Sequence, residues 1–398
     1  MRYSASLFCQ ILSLIPRLDF ARLVSATGVE RHCRGFQTWD QFVSMLFCQL
    51  AHAKSLREIS DGLNSSCGKL SHLGLKKAPA RSTLSYANSR RDWVFFAKLF
   101  FQMRELCRLA SPGKKRKFHF RNRLLSLDSS TIDLCLSLFP WAKFRQTKGA
   151  VKLHLLLDHD GYFPTFACIT DGTVHDVKVA QVLKLPPGSI VVVDRGYTDY
   201  SLFYQWTADG VYFVTRMKSN AAYEVLFDVP IPAEQPAVLA DQIIRFTGSK
   251  ARQDCPFEMR RIVLRDPDTD SEIVFLTNHL DFDAVTVGEI YRDRWEIELF
   301  FKVLKQHLKI KTFVGTSPNA LRIQIWTALI ASLLLKFLQF RSRRSWALSN
   351  LVALLRWNLF TYRNLWEWLD DPFQTPPEPP PDQPLLPYLD SILRSPTG

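Results

Sequence analysis

The sequence predicts an α/β protein whose mixed core is preceded by an all-helical segment and interrupted by a β-rich insertion. Three observations lead there. Apolar residues recur at helical spacing in the first 110 residues, as in Leu7-Ile11-Leu12-Ile15 and Phe42-Leu46-Phe47-Leu50. Between residues 124 and 215 short apolar runs alternate with helical patterns. Residues 1–127 hold 22 Lys and Arg against 7 Asp and Glu, a net of +15, whereas the remainder carries −2.

The elements follow in order. A helix around Ser55–Ile59 reaches a turn at Gly62, then a loop rich in Ser and Gly. A second helix starts at the N-cap pair Ser82-Thr83. Two short helices about a turn, the second polar and basic, read as a helix-turn-helix or as an ordinary helical hairpin with a solvated face. After the basic run Gly113–Lys117 come three consecutive antiparallel strands, Leu124–Asp128, Val151–Asp158 and Phe163–Thr170. A helix over Asp176–Leu183 leads to Ser189–Asp194, whose β-branched run marks a strand buried on both faces. A helix at Tyr200–Ala208 and a strand at Val211–Thr215 complete the order β-β-β-α-β-α-β, which with one more helix is that of a ribonuclease H-like core. That helix, Thr286–Leu308, is delayed by residues 222–285, which carry strand-like pieces at Arg260–Leu264 and Ile273–Thr277. Apolar helices at Ala320–Phe340 and Leu348–Leu369 follow, and nine of the 22 prolines fall in residues 372–398, a tail expected to be disordered. The expected divisions are thus 1–112 helical, 113–123 linker, 124–221 first part of the core, 222–285 insertion, 286–312 completion of the core, 313–371 C-terminal helices and 372–398 tail.

A basic block joined to a nearly neutral one points to polyanion binding, nucleic acid first. Eight cysteines are scattered without a C-x-x-C pair, which argues against a zinc site and fits reduced thiols in a cytosol. The apolar start, Ser4 to Pro16, is interrupted by Gln10 and reads poorly as a signal peptide. The most hydrophobic stretch, Ile325–Leu335, is shorter than the roughly 20 apolar residues needed to span a bilayer and reads as a buried helix.

Asp128 and Asp194 each end an apolar strand. Strands of an open sheet leave their carboxyl ends at the crevice where ligands bind, so on neighbouring strands the two would meet. Singly, each is as readily a turn residue or a helix cap. Residues 291–305 are more specific. At about 100° per residue, Tyr291, Arg294, Glu298 and Lys305 fall within roughly 60° of one helix face. Trp295 and Lys302 lie beside that arc, and Ile290, Ile297, Phe300, Leu304 and Leu308 cover the opposite side. An Arg294–Glu298 surface pair explains part of this stripe but not the Tyr and Lys that join it.

Tyr291-x2-Arg294-x3-Glu298-x6-Lys305 resembles the signature of bacterial insertion-sequence transposases of the DDE superfamily, insertion-sequence-4 type. Leu127-Asp128-Ser129-Ser130 and Asp194-Arg195-Gly196-Tyr197-Thr198-Asp199 resemble the boxes around that family's first and second aspartates. The resemblance implies a helical DNA-binding domain ahead of the core. It also implies cut-and-paste transposition in the bacterial cytosol, by a homodimer on double-stranded DNA that carries the terminal inverted repeats and the target. Asp128, Asp194 and Glu298 become the catalytic, metal-binding residues, with two Mg²⁺ ions (Mn²⁺ able to substitute) about 3.5–4 Å apart to activate the attacking oxygen and stabilise the leaving one. Tyr291, Arg294 and Lys305 become contacts to terminal phosphates.

Further candidates for DNA contact are Arg195, Trp295, Lys302, Lys148 and Lys152, together with Arg81, Thr83, Tyr86, Asn88, Arg90 and Arg91 of the N-terminal helix. Lys148, Lys152 and His154 belong either to a DNA-facing surface or to a solvated strand edge. His175 could approach the metals, while Asp176 beside it reads better as an N-cap. Some relatives cut through a DNA hairpin and stack a flipped base on a Trp of the insertion. No Trp lies between Trp206 and Trp295 here, so either a Phe or Tyr of the insertion or Trp295 takes that role, or the hairpin step differs.

Overall fold

Helices fill residues 7–110: α1 (Leu7–Ser13), α2 (Arg17–Thr27), α3 (Thr38–Ala51), α4 (Leu56–Asn64), α5 (Arg81–Arg90) and α6 (Val94–Ala110). The chain then alternates as β1 (Leu124–Leu134), β2 (Lys143–Arg145), β3 (Lys148–Asp158), β4 (Phe163–Asp171), α7 (Asp176–Val182), β5 (Ile190–Val193), α8 (Tyr200–Ala208) and β6 (Tyr212–Arg216). The insertion supplies β7 (Tyr223–Asp228), β8 (Val238–Phe246), α9 (Ser249–Asp254), β9 (Met259–Arg265) and β10 (Glu272–Thr277). Helices α10 (Ala284–Asp293), α11 (Trp295–Gln306), α12 (Pro318–Arg341), α13 (Leu348–Asn358) and α14 (Leu365–Asp370) follow. This computed structural model describes residues 5–31, 33–66, 68–110, 118, 120–145, 148–308, 310 and 312–373. The basic run Gly113–Lys117 and the Pro-rich segment from residue 374 lie outside the described residues.

All the strands belong to one mixed sheet. Its order is β2-β3-β1-β5-β6-β10-β9-β8-β7, with β4 also paired to β3. β1 and β3 are antiparallel, β1–β5 and β5–β6 parallel, and β10 joins β6 antiparallel. The insertion is therefore an extension of the core sheet through β10. Its anchor is a buried ion pair: Arg260 on β9 grips Asp241 on β8 with Nε and Nη2 at 2.8 and 2.6 Å, and Nη1 donates to the carbonyls of Leu280 and Phe282. Those carbonyls belong to the loop that leads into α10, so the pair ties the insertion to the helix that follows it.

One face of the sheet packs on α7 and α8, where Leu125, Leu127, Val191 and Val193 meet Leu202, Phe203 and Trp206. On the other face α10 covers Ile190, Val192 and Val214. Farther along that side, α11 and α12 join β3 and the N-terminal helices in a single core. Helix α12 is mostly apolar and almost wholly buried, as a helix hydrophobic all round is when it sits in a core. By length and composition it could cross a bilayer, yet 83% of its apolar window is covered by the rest of the chain. Each fully buried Leu or Ile there contributes about 1.5–3 kcal/mol. Trp93 stacks on Trp326, and Asn319 Nδ2 donates to the carbonyls of Asn88 and Arg91 at 2.8 and 2.6 Å. Even α1 is tied to the far end of the chain, with Phe8 N donating to Leu359 O at 2.8 Å and Gln10 Nε2 to Arg363 O at 2.6 Å.

Several local expectations need correction. Gly62 is not a turn but lies inside α4, where a Cβ would come within 2.8 Å of the Phe47 ring; the glycine lets α4 lie close on α3. Residues 65–80, including a 3-10 turn at Leu70–Leu73, separate α4 from α5, far more than the three or four residues of a helix-turn-helix. Helix α5 begins at Arg81 behind Ala80, ahead of the Ser82-Thr83 pair. The helix expected over 286–308 is two, meeting at Arg294, and that over 348–369 is broken between Asn358 and Leu365. The second half of the expected linker packs on the sheet: Phe118 stacks on Phe120, Phe120 meets Phe282, and Arg123 pairs with Asp158 at 2.7 Å.

Asp241→Ala should lower stability by about 3–5 kcal/mol in urea unfolding, because Arg260 would keep a buried charge without its counterion. Replacing both partners, Asp241→Leu with Arg260→Met, should cost much less.

Candidate active site

β1 and β5 run side by side and parallel, with Leu127 opposite Val193. Asp194 follows the end of β5, but Asp128 does not end its strand as expected: β1 runs on to Leu134 because β3 keeps pairing with it, so the two aspartates are in register where β5 stops. Alternate residues of a strand share a face. Leu125 and Leu127 point into the α7–α8 layer, which sends Ser126 and Asp128 towards α10 and α11. Asp194 caps a 3-10 turn by accepting from Gly196 N at 3.0 Å. Asp128 accepts from Ser129 N at 2.8 Å.

Arg294, at the junction of α10 and α11, draws the third carboxylate in. Its Nη1 donates to Asp128 Oδ2 at 3.3 Å and its Nη2 to Glu298 Oε1 at 2.5 Å. Burial pushes the Asp128 carboxyl up to about 6; Ser129 N–H and Arg294 resist, and the charges of Glu298 and Asp194 add to the rise. Burial works to lower the Arg294 guanidinium, but Tyr291, Asp128 and Glu298 outweigh it and hold it raised. Burial likewise raises the Tyr291 phenol, whose ring packs on Phe275 and lies under the Arg294 guanidinium. As they stand, no three His, Cys, Asp or Glu side chains among the described residues close on one point. The donor chemistry nonetheless suits a divalent cation: hard carboxylate oxygens share a partly buried crevice, and one guanidinium offsets only part of their charge.

The remaining predicted residues divide sharply. Lys305 is half-buried and donates to Thr131 O on β1 at 2.9 Å. Trp295 is 58% exposed beside Arg294. Arg195 is exposed and borders a cavity of about 290 Å³ with Arg216, Lys218 and Arg261. Lys302 faces another cavity, of about 520 Å³, with Tyr162, Glu296, His307 and Lys336. Lys148 is exposed beside β2. Lys152 is turned inward; its Nζ donates to Val174 O at 2.9 Å and to Asp176 at 3.2 Å. His154 is buried on a strand paired on both sides, not on a solvated edge, and burial pulls its imidazole down to about 4. On α5, Arg81, Thr83, Tyr86 and Arg90 are exposed, but Asn88 and Arg91 are buried. Arg91 donates to Gln37 O and Gln41 Oε1, so it braces α3 and is not available to DNA.

Asp176 is not the N-cap expected of it: His175 takes that place and Asp176 is the first residue of α7, because its carboxylate is drawn away to accept from Ser129 Oγ at 2.8 Å and from Lys152. One basic group escaped the sequence. Arg216 and Arg261 join Arg195 from separate strands, β6 and β9, so no local basic run announces them. Only the sheet order brings them together.

The Arg294 bridge carries a pH signature. A carboxyl raised in the folded state gives stability that is present below its unfolded value and is lost as pH rises through about 6. Arg294→Met should push Asp128 higher and steepen the fall in melting temperature between pH 5 and pH 8. In an Asp128→Asn background the same substitution should leave that slope unchanged, as thermal unfolding across the range would reveal.

A family model described as "Transposase DDE domain" matches residues 119–334. A second, "Domain of unknown function (DUF4372)", matches residues 4–76. Relatives that carry transposase names include y4zB of Sinorhizobium fredii, 30% identical over 72% of this chain and 80% of its own. Another belongs to insertion sequence element IS5377 of Geobacillus stearothermophilus, 28% identical over 58% of this chain and 60% of its own. A third belongs to element IS4SA of Synechocystis, 27% identical over 65% of this chain and 71% of its own. Among solved structures, the piggyBac transposase in a synaptic complex with hairpin DNA aligns over 97% of this chain and 83% of its own, at 10% identity and a TM-score of 0.39. The DDE match alone spans more than half of the chain, and the chain belongs to the DDE transposases of insertion sequences, enzymes that cleave DNA and transfer its strands.

Proposed function

We propose that Asp128, Asp194 and Glu298 hold two divalent cations, Mg²⁺ with Mn²⁺ able to substitute, and that the enzyme moves an insertion sequence by cut-and-paste. The observation that carries this reading is the single guanidinium shared by Asp128 and Glu298, with Asp194 in register on the next strand. A ribonuclease H-like core belongs to the same reading, supported by the order β4-β3-β1-β5-β6 with its antiparallel and then parallel pairings. When bound, the ions would activate an attacking oxygen and stabilise a leaving one. The chain's own groups do the rest. Arg294 and Tyr291 offer a cationic and a phenolic contact to a terminal phosphate, and Lys305 braces α11 on β1. Arg195, Arg216, Lys218 and Arg261 present positive charge to a DNA backbone, and exposed Trp295 offers a face for a displaced base. Thr83, Tyr86 and Arg90 share an exposed face of α5, with Arg81 exposed at its start, and suit contact with terminal inverted repeats. The enzyme would work in the bacterial cytosol as a homodimer. Of the C-terminal helices, buried α12 is spoken for, while exposed Trp357, Trp366 and Phe373 on and beyond α13 and α14 offer a dimer surface.

Asp128→Asn should reduce Mg²⁺-dependent cleavage of a donor carrying the terminal repeats by about 10³-fold or more, with binding to those repeats kept. Full cleavage by that variant would overturn the assignment. The wild type should also give a joined donor–target product, which a plain nuclease does not.

A further inference from the structure

Behind the carboxylates lies a buried relay of three polar side chains. Ser126 Oγ is 2.7 Å from His159 Nε2, and His159 Nδ1 is 2.5 Å from Asp293 Oδ2. Tyr162 adds its hydroxyl to the same Asp293 oxygen at 3.3 Å. A carboxylate only accepts, so Nδ1 bears the hydrogen that Asp293 receives. The order Ser–His–Asp matches the triad of acyl-transfer enzymes. Here it cannot serve that chemistry, because Ser126 is fully buried on β1 between β3 and β5, out of reach of any acyl donor.

What the relay joins gives it a purpose. Ser126 stands two residues before Asp128, on the same face of β1. His159 follows β3 directly, and its backbone N–H donates to Leu124 O at 3.0 Å, so its ring is fixed to the same strand. Asp293, 6% exposed, is the last residue of α10, and the next residue is Arg294, where α10 gives way to α11. Arg294 keeps helical dihedrals (φ −54°, ψ −26°), so α11 leaves α10 across a single residue and a grip on Asp293 bears directly on the first turn of α11. The Asp293 carboxylate is gripped from the β1–β3 side, while Arg294 and Glu298 emerge immediately beyond it.

We propose that Asp293 is a positioning residue which, through His159 and Ser126, fixes the α10–α11 joint against β1 and so sets Arg294 and Glu298 opposite Asp128. This rests on the reading of Asp128, Asp194 and Glu298 as the metal-binding set. Such supporting partners typically govern metal affinity by about 10–100-fold. A small misplacement of reacting groups costs about 10²-fold in rate.

The test measures Mn²⁺ affinity by calorimetry, cleavage of the repeat-bearing donor and repeat binding, all in the full chain. Asp293→Ala should weaken Mn²⁺ binding by about tenfold and cleavage by about 10²-fold, with repeat binding unchanged. Asp293→Asn, whose amide oxygen still accepts from Nδ1, should recover most of both losses. Wild-type Mn²⁺ affinity and cleavage in Asp293→Ala would overturn the proposal, as would an Asn variant no better than Ala. If Asp293→Ala does not fold, His159→Asn and His159→Gln decide. The Asn amide replaces Nδ1 and keeps the Asp293 bond, whereas Gln replaces Nε2 and keeps only the Ser126 bond. His159→Asn should therefore bind Mn²⁺ more tightly than His159→Gln, and equal affinities would overturn the latch. Asp128→Asn run alongside separates the two ideas. If it keeps wild-type Mn²⁺ affinity and cleavage, the metal-binding set itself is wrong; if it loses both while the Asp293 series behaves as wild type, only the latch fails.

Discussion

Carboxylates gathered in one partly buried crevice repel one another, and the arrangement stands because a guanidinium lies between two of them. Arg294 bonds Asp128 with one nitrogen and Glu298 with another. Around that bridge the rest of the architecture becomes intelligible. The parallel pairing of β1 with β5 sets Asp128 and Asp194 in register where β5 stops. The joint between α10 and α11 lets Arg294 face β1 while Ile290 and Ile297, on either side of it, stay buried. A cation on that joint is what makes the crevice tolerable in a fold that carries no other charge so close to both acids among its described hydrogen bonds.

The insertion adds charge beside the residue that follows Asp194. Because β10 pairs with β6, its strands prolong the core sheet, and Arg261 on β9 reaches the neighbourhood of Arg195 and Arg216. Arg260, the next residue back and on the opposite face, turns inward to Asp241. Neighbouring arginines thus divide the labour: one holds the extension to the loop before α10, the other presents charge outward. The pleat alone decides which does which.

Much of this was legible in the sequence, and the parts that were not share a cause. Strand runs such as Ile190–Val193 and the helix at Tyr200–Ala208 stand out because periodicity and β-branching are local properties. The stripe Tyr291, Arg294, Glu298 and Lys305 was visible because it lies on nearly continuous helix. Tertiary contacts left no such mark. Arg91 looked like a DNA-facing residue on a polar helix, yet the carbonyls near Gln37 and Phe36 claim it. Lys152 looked outward until Asp176, 24 residues on, took its ammonium. Gly62 looked like punctuation, although what it answers to is the ring of Phe47 on another helix. The partners of Arg195 are spread over β6 and β9, which only the sheet order makes neighbours.

The sharing of one core by α1–α6 with α12 and α13 bears on how the protein comes to be made. During translation the first hundred residues leave the ribosome with only part of their core, since Trp326, against which Phe100 packs, and Leu333 and Leu351 emerge more than two hundred residues later. The nascent chain must therefore carry exposed apolar helices for most of its synthesis, a state that invites chaperones and aggregation. A polypeptide interrupted before α12 would lack the surface on which its own beginning rests, so premature termination should yield insoluble fragments rather than a free-standing amino-terminal module.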